Sequence, residues 1–336
     1  MSRYEEFYRQ SVDAPEAFWA EQAKLIDWHT PAQQILDASR PPFARWFVGG
    51  TTNLCHNAVD RHLADRGDQP ALIFVSTETG TEKSYSFAEL HAEVQRTAAS
   101  LVELGVGKGD RVLIYMPMIP QAAFAMLACA RIGAIHCVVF GGFASGSLAT
   151  RIEDAEPKVV VSADAGSRGG KVIAYKPLLD EAIRLSKHKP EAVLLTDRGL
   201  AQMTLVVGRD HLAGELRQKH LDAQVPCTWL VSTDISYTIY TSGTTGKPKG
   251  VQRDVGGYAV ALAASMKHIF DGRPGETYFS TSDIGWVVGH SYIVYGPLIA
   301  GMATIMYEGL PTQGIDQQPD GGIWWRLVEK YKVTVM

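Results

Sequence analysis

Between residues 70 and 200, short apolar runs alternate with segments of helical periodicity. The clearest helical segment, residues 86–105, opens with a predicted capping box of Ser86 and Glu89 and is expected to end at Gly105. The apolar runs around it have no polar face, which is typical of strands buried on both sides: RVLIYMP, AIHCVVF, KVVVSA and AVLLTD. This alternation predicts a parallel sheet covered by helices.

The same alternation continues in the last third of the chain. Strands are predicted at 236–241 and in TYFST and ATIMYEG, with helices over 257–269 and after His290. A second doubly wound sheet is expected here. The chain closes on the strand-like run YKVTVM, just after a helix predicted over 323–330. Because compact domains seldom stop inside an apolar strand, we expect the front part of a longer protein.

The predicted fold is therefore α/β, with two doubly wound, mostly parallel sheets and flanking helices. A helical and extended segment, residues 1–60, precedes them and is expected to pack onto the main body. The remainder, 61–336, divides into a first α/β subdomain over 61–230 and the start of a second over 231–336.

Composition and charge exclude several classes of protein. The 336 residues carry 32 Lys and Arg against 36 Asp and Glu, with no polybasic stretch, so no nucleic-acid partner is expected. The longest apolar run, 122–130, is far shorter than the roughly 18 residues of a membrane span. The N-terminus lacks an apolar signal region, which favours a cytoplasmic protein. Four cysteines without a CxxC pair are expected to be thiols, and histidines without paired spacing predict no metal site.

The segment 241–250, YTSGTTGKPKG in context, combines hydroxyls, glycines and lysines directly after a predicted strand. Glycine backbone amides, hydroxyls and lysine ammonium groups together suit a polyphosphate. The loop is not a Walker A motif, because Pro248 follows Lys247 where Ser or Thr is required, and this makes a phosphate-loop NTPase a weak rival. A solvated turn is the other alternative. The predicted phosphate-binding residues are Thr241, Ser242, Gly243, Thr244, Thr245, Gly246, Lys247 and Lys249.

A second candidate anion site follows the strand KVVVSA. Arg168 and Lys171 flank two glycines, and two cations on a flexible backbone suit a phosphate clamp, although a solvated basic loop is the alternative.

With these motifs, the chain is similar to members of the adenylate-forming superfamily, which includes acyl-CoA synthetases and luciferases. The loop at 241–250 resembles its signature loop, and FGGF (140–143), DAGSRGGK (164–171) and SDIGWVVGHSY (282–292) resemble the short-chain acyl-CoA synthetases. The FWAEQA and PPFARWF stretches resemble the N-terminal segment of acetyl-CoA synthetases, so the resemblance covers essentially the whole chain. It implies an AMP-binding domain over 61–336 without the family's C-terminal lid domain.

The resemblance also implies roles for individual residues. Thr241, Lys247 and Trp286 would be catalytic, Val287 and Val288 would form the acyl pocket, and Gly141, Gly142, Arg168 and Lys171 would bind CoA. From the residues alone, the tryptophan and the two valines fit an ordinary core equally well.

Several positions depart from the family pattern. Arg253 replaces a common histidine and Val288 a threonine, and both resemble propionyl-CoA synthetases; a valine suits a slightly longer apolar acyl chain. Lys171 stands where the family has arginine, which removes bidentate geometry. The segment 311–322 is longer and more polar than its counterpart, close to the expected position of the CoA base.

The resemblance implies ATP-dependent ligation of a short carboxylate to coenzyme A through an acyl-AMP, with pyrophosphate and AMP released. Propionate is the expected acid and acetate the second choice. ATP, Mg²⁺ and CoA would be the small-molecule partners, with no membrane partner and no indication of oligomeric state. The later family motifs have no counterpart before Met336, so this chain alone is expected to be inactive. The alternative is a truncated module that binds nucleotide or CoA without catalysis.

Overall fold

The computed structural model describes residues 3–241 and 248–336, and every structural statement below concerns those residues. Their helices are α1 (Arg3–Asp13), α2 (Pro15–Gln22), α3 (Leu54–Ala58), α4 (Leu63–Arg66), α5 (Phe87–Glu103), α6 (Pro120–Ile132), α7 (Ser145–Ala155), α8 (Tyr175–Leu185), α9 (Ala213–Lys219), α10 (Gly256–His268), α11 (Val287–Gly289), α12 (Gly296–Ile299) and α13 (Ile323–Lys330). A π-helical segment, His290–Tyr295, joins α11 to α12.

The strands of the described residues are β1 (Gln34–Arg40), β2 (Phe43–Val48), β3 (Thr51–Thr52), β4 (Pro70–Ser76), β5 (Thr81–Ser86), β6 (Arg111–Met116), β7 (Ile135–Phe140), β8 (Val159–Ala163), β9 (Ala165–Arg168), β10 (Lys171–Ala174), β11 (Ala192–Thr196), β12 (Asp210–Leu212), β13 (Leu230–Val231), β14 (Ile235–Thr241), β15 (Lys249–Asp254), β16 (Thr277–Phe279), β17 (Ala303–Glu308) and β18 (Val333–Val335).

The predicted α/β architecture is confirmed. A seven-stranded sheet has the order β12-β11-β8-β6-β7-β14-β15, parallel except for the edge strand β15. The capping box of Ser86 and Glu89 is present at the start of α5, and Gly105 follows that helix with a φ of 84°. These local features form as predicted because each depends only on neighbouring residues.

The second sheet has five strands in the order β18-β16-β17-β4-β5, parallel except for β5. Its composition differs from the expectation that the last third of the chain builds it alone. β14 joins the first sheet beside β7, whereas β4 and β5, from the first third of the chain, complete the second. Consecutive strands are neighbours in only roughly two-thirds of cases, so chain order is a weak guide to partners.

Helix α6 forms the centre of the core. Apart from Gln121, each of its residues is buried, which explains why its sequence is apolar on all sides rather than along one face. The N-terminal segment packs onto this body as expected: β3 pairs with β13, and the Ser232 hydroxyl donates to the carbonyl of buried Phe47 at 2.5 Å. Within the described residues, the helices are all too short or too polar to cross a membrane.

A buried ion pair joins the two sheets. Arg198, which follows β11, donates through both terminal nitrogens to Glu308 at the end of β17, at 2.8 and 2.7 Å. The Ser76 hydroxyl, at the end of β4, donates to the same carboxylate at 2.7 Å. Both charged side chains are at most one-tenth exposed, so the pair fixes the carboxyl edges of the two sheets against each other.

Candidate functional site

A cleft of about 480 Å³ opens where strands of both sheets end. Its lining comes from the ends of β6, β7 and β17, from β9 itself and from the segment after β16, namely 116–118, 140–142, 307–309, 166–168 and 281–283. In open α/β sheets, ligands bind in crevices at the carboxyl ends of the strands. This cleft is therefore the candidate site, and it brings together the predicted residues Gly141, Gly142, Arg168 and Trp286.

Glycines 141 and 142 let the chain turn tightly at the end of β7. A Cβ on Gly141 would lie 2.1 Å from the hydroxyl oxygen of Tyr175, and one on Gly142 would lie 2.4 Å from the Phe140 ring. Tyr175 is itself held by stacking on Tyr115, with ring centroids 4.7 Å apart. Burial raises the pKa of the Tyr175 hydroxyl, which therefore stays neutral at the cleft wall. The glycines leave room that any side chain would fill.

Arg168 and Lys171 lie at the tip of a hairpin that the sequence did not predict. β9 and β10 pair antiparallel with Arg168 opposite Lys171, and Gly169 and Gly170 form the two-residue connection with φ of 62° and 73°. Positive φ at both central residues is typical of a type I′ turn and explains the glycine pair. Arg168 lines the cleft, while Lys171 is exposed beside it.

Glu78 fixes this hairpin, and sequence reasoning missed it. The carboxylate is 7% exposed and accepts hydrogen bonds from the Ser167 hydroxyl at 2.7 Å and from the amides of Gly169 and Gly170 at 2.6 and 2.9 Å. Three donors on one carboxylate hold the tip, and with it Arg168, at the rim of the cleft. An acidic residue in the turn between β4 and β5 carries no local signal for such a contact.

Asp283 and Trp286 contribute another part of the cleft wall. Burial raises the pKa of the Asp283 carboxyl, and the positive charge of Arg168 opposes this shift. Gly285 allows close approach, since a Cβ there would lie 2.7 Å from the Cα of Phe140. The Trp286 ring is tilted over Phe140 with centroids 5.8 Å apart and is 47% exposed. The cleft is therefore lined by an aromatic ring, Trp286, as well as by the guanidinium of Arg168.

Val287 and Val288 begin α11 and are 41% and 46% exposed. Neither belongs to the lining of the cleft, so their predicted role in an acyl pocket remains a prediction. Directly behind them His290 is fully buried, and its Nδ1 donates to the Trp286 carbonyl at 3.1 Å. Burial lowers the pKa of His290 to about 4, so a neutral imidazole holds the start of this segment.

The structure describes only part of the predicted phosphate loop. Ser242, Gly243, Thr244, Thr245, Gly246 and Lys247 lie outside the described residues. Thr241 and Lys249 stand opposite each other as the last pair of β14 and β15, and the Thr241 hydroxyl donates to the Lys249 carbonyl at 3.5 Å. Because β14 is parallel to β7, Thr241 leaves the sheet at the edge where Gly141 turns. The loop thus begins at the edge that carries the cleft.

The unusual segment 311–322 lies against the same hairpin. Pro311 lines the cleft, and the Gln317 side-chain amide donates to the carbonyl of Glu78 at 3.2 Å. Leu310, just before it, would be 3.0 Å from a Cβ on Gly169. The segment therefore contacts the backbone of Glu78, whose side chain fixes the hairpin that carries Arg168.

Two family models match this chain, one at its N-terminus and one over the remainder. Residues 4–58 match the family described as acetyl-coenzyme A synthetase N-terminus. Relatives include the propionate–CoA ligases of Salmonella typhimurium and Escherichia coli, 63% and 62% identical over 99% of this chain, and an acetyl-coenzyme A synthetase of Methylobacterium radiotolerans, 46% identical over 99%. The chain covers 52%, 52% and 51% of these proteins, about half their length. With residues 59–336 matched by its family model, the chain belongs to the AMP-binding enzymes.

Proposed function

We propose that the protein carrying this chain joins a short carboxylate to coenzyme A at the expense of ATP. The carboxylate attacks the α-phosphate of ATP and releases pyrophosphate, and the CoA thiol then displaces AMP from the acyl-AMP. Propionate is the proposed acid and acetate the second choice. Mg²⁺ is proposed as the counter-ion that enters with ATP, and we assign it no protein ligand.

One observation carries this proposal. Arg168, the Gly141–Gly142 turn and Trp286 come from three separate parts of the chain and border a single cleft at the carboxyl edge of both sheets. A guanidinium, exposed backbone and an aromatic ring suit the phosphate, the chain and the reacting end of an extended acyl-CoA. The matched family and the named relatives support the same reaction class.

We also propose residue roles that rest on the resemblance to the family. Thr241, Lys249 and the loop 242–247 are proposed to hold the ATP phosphates, with Thr241 and Lys247 stabilising charge in the transition state. Val287 and Val288 are proposed to contact the acyl chain once Trp286 moves between the two half-reactions. Residues 61–336 are proposed as one partial AMP-binding domain behind the segment 1–60, and the protein is proposed to act in the cytoplasm on small molecules alone.

Measuring the binding of CoA to this chain tests the proposed role of Arg168 directly. We propose that Arg168 binds the 3′-phosphate of CoA, and we expect Arg168→Ala to weaken CoA binding by about tenfold or more because that phosphate loses its charge-assisted partner. Dephospho-CoA, which lacks the 3′-phosphate, should bind the variant and the wild type equally in calorimetry. Arg184→Ala, an exposed arginine paired with Glu181 on α8, is the matched control. Equal losses for both ligands would contradict a contact to the 3′-phosphate.

Carboxylate-dependent exchange of pyrophosphate into ATP tests the reaction in the full-length native protein. Exchange with propionate above acetate is the expected result, and Lys249→Ala should reduce it. Binding of CoA or ATP without any exchange would instead support the alternative of a non-catalytic binding module. ATP hydrolysis without a carboxylate would favour an NTPase.

A further inference from the structure

Two thiols that do not line the cleft lie close together, one on α3 and one in the segment that leads into β13. The sulfurs of Cys55 and Cys227 and a carboxylate oxygen of Asp60 all lie within 4.8 Å of one another. Cys55 is fully buried, whereas Cys227 is partly exposed. Residues 172 positions apart in the chain thus place one partly exposed and one fully buried cysteine side by side.

The backbone on both sides of this pair is anchored to the same point. The buried Asn53 side chain donates to the carbonyls of Ala130 and Thr228, both at 2.8 Å. The Thr228 amide in turn donates to the carbonyl of Arg131 at 2.8 Å. Cys55 and Cys227 are close neighbours of these anchored residues. Their proximity is therefore a property of the packed core and not of a surface loop.

The positive charge of Arg131 affects both metal binding and thiol reactivity at this pair of cysteines. Its guanidinium donates to both oxygens of Asp60 at 2.8 and 2.9 Å and to the sulfur of Cys55 at 3.6 Å. His91 also contacts Asp60, at 3.5 Å. A metal ion at the two thiols and Asp60 would have to share this space with the fixed positive charge of Arg131. The same charge favours the thiolate form of Cys55 while a sulfur–sulfur bond forms, and it offsets only part of the effect of burial, which raises the pKa of that thiol.

We propose that Cys55 and Cys227 form a reversible disulfide by exchange with a small-molecule disulfide. The accessible Cys227 attacks one sulfur of the reagent and releases its first half as a thiol. Cys55 then attacks the Cys227 sulfur and releases the second half. The protein loses two hydrogen atoms, with their two electrons, and the reagent leaves as two thiols, so the exchange balances. Burial raises the pKa of the Cys55 thiol, which agrees with Cys227 reacting first.

The test is to treat the 336-residue chain with oxidised glutathione and to map its peptides by mass without reduction. The expected product is one peptide pair joined through Cys55 and Cys227, two hydrogen atoms lighter than the reduced pair and restored by dithiothreitol. Cys55→Ser should stop the reaction at a glutathione adduct on Cys227, and Cys227→Ser should reduce the cross-link to background. Cys129→Ser, which removes a fully buried thiol elsewhere, is the matched control and should leave the yield unchanged.

Three results would overturn the proposal. The wild-type chain could retain glutathione on Cys227 without a cross-link, which would mean that Cys55 cannot reach it. The cross-link could involve Cys129 or Cys137 instead. Finally, one equivalent of Zn²⁺ alone could protect both thiols from alkylation, which would identify a metal site. The wild-type peptide map needs no variant, so the test stands even if Cys55→Ser does not fold.

Discussion

The contact between Glu78 and the β9–β10 hairpin gives the sharpest prediction. Glu78→Gln keeps the size of the side chain but removes its charge and one acceptor oxygen. Three donors, the Ser167 hydroxyl and the amides of Gly169 and Gly170, then compete for a single oxygen. The new amide NH₂ meets at least one donor and cannot accept from it.

The magnitude follows from the number of bonds. A hydrogen bond to a charged group contributes about 1.5–3 kcal/mol, and the variant loses one such bond and weakens two. Gly169 and Gly170 lie on the exposed tip, where water can replace a lost acceptor, so the lower part of this range applies. We expect the free energy of unfolding to fall by about 2 kcal/mol. CoA affinity should fall as well, because Arg168 is no longer held at the cleft.

Urea unfolding and CoA calorimetry on the same samples are the assays. Glu153→Gln is the matched control, because Glu153 pairs with Lys187 at 3.4 Å on the surface with side chains 44% and 90% exposed. Exposed pairs of this kind contribute less than about 1 kcal/mol. If Glu78→Gln destabilises the protein no more than Glu153→Gln does, a structural role of the buried carboxylate is refuted. Reduced stability with unchanged CoA affinity would refute its link to the site.

Two further predictions concern the cleft wall and pH. Gly141→Ala should destabilise the protein by about 1–3 kcal/mol and weaken CoA binding, because its Cβ would lie 2.1 Å from the Tyr175 hydroxyl oxygen. Gly146→Ala is the control: it lies in open space on α7 and should stabilise the protein slightly in thermal unfolding. The pKa of His290 falls from 6.5 to about 4 on folding, so the unfolded chain binds the proton more tightly. The neutral His290 therefore contributes about 3 kcal/mol to the free energy of unfolding above pH 6.5, and this contribution is lost as the pH falls to 4. His290→Asn should flatten the dependence of the free energy of unfolding on pH in this window; a slope equal to that of the wild type would contradict the assignment.

The central sheet and its helices could be predicted because their signals are local. Strands β6, β7, β8 and β11 are apolar on both faces, and the capping box of α5 lies within four consecutive residues. Sheet membership could not be predicted in the same way. β4 and β14 are both apolar strands, and nothing in either sequence states that β4 pairs with β17 or β14 with β7.

The candidate site likewise combines residues that have a local sequence signal with residues that have none. Gly141, Gly142, Arg168 and Trp286 stand in short segments whose composition is unusual in itself, and the cleft contains all four. Glu78 and Tyr175 act on these residues from other parts of the chain, through one carboxylate and one ring. Each is an ordinary residue in its own segment, so its contribution depends entirely on the tertiary contact.

The buried pair of Arg198 and Glu308 explains why the cleft depends on both sheets at once. Glu308 ends a strand of the five-stranded sheet, and Arg198 follows a strand of the seven-stranded sheet. Removing one partner of such a pair leaves an uncompensated charge that costs about 3–5 kcal/mol, so the two carboxyl edges cannot separate cheaply. Glu308 also lines the cleft and accepts from Ser76 on β4. A strand from the first third of the chain, β4, therefore helps to fix a part of the cleft wall that comes from the last third, β17. Neither part of the chain forms the site alone.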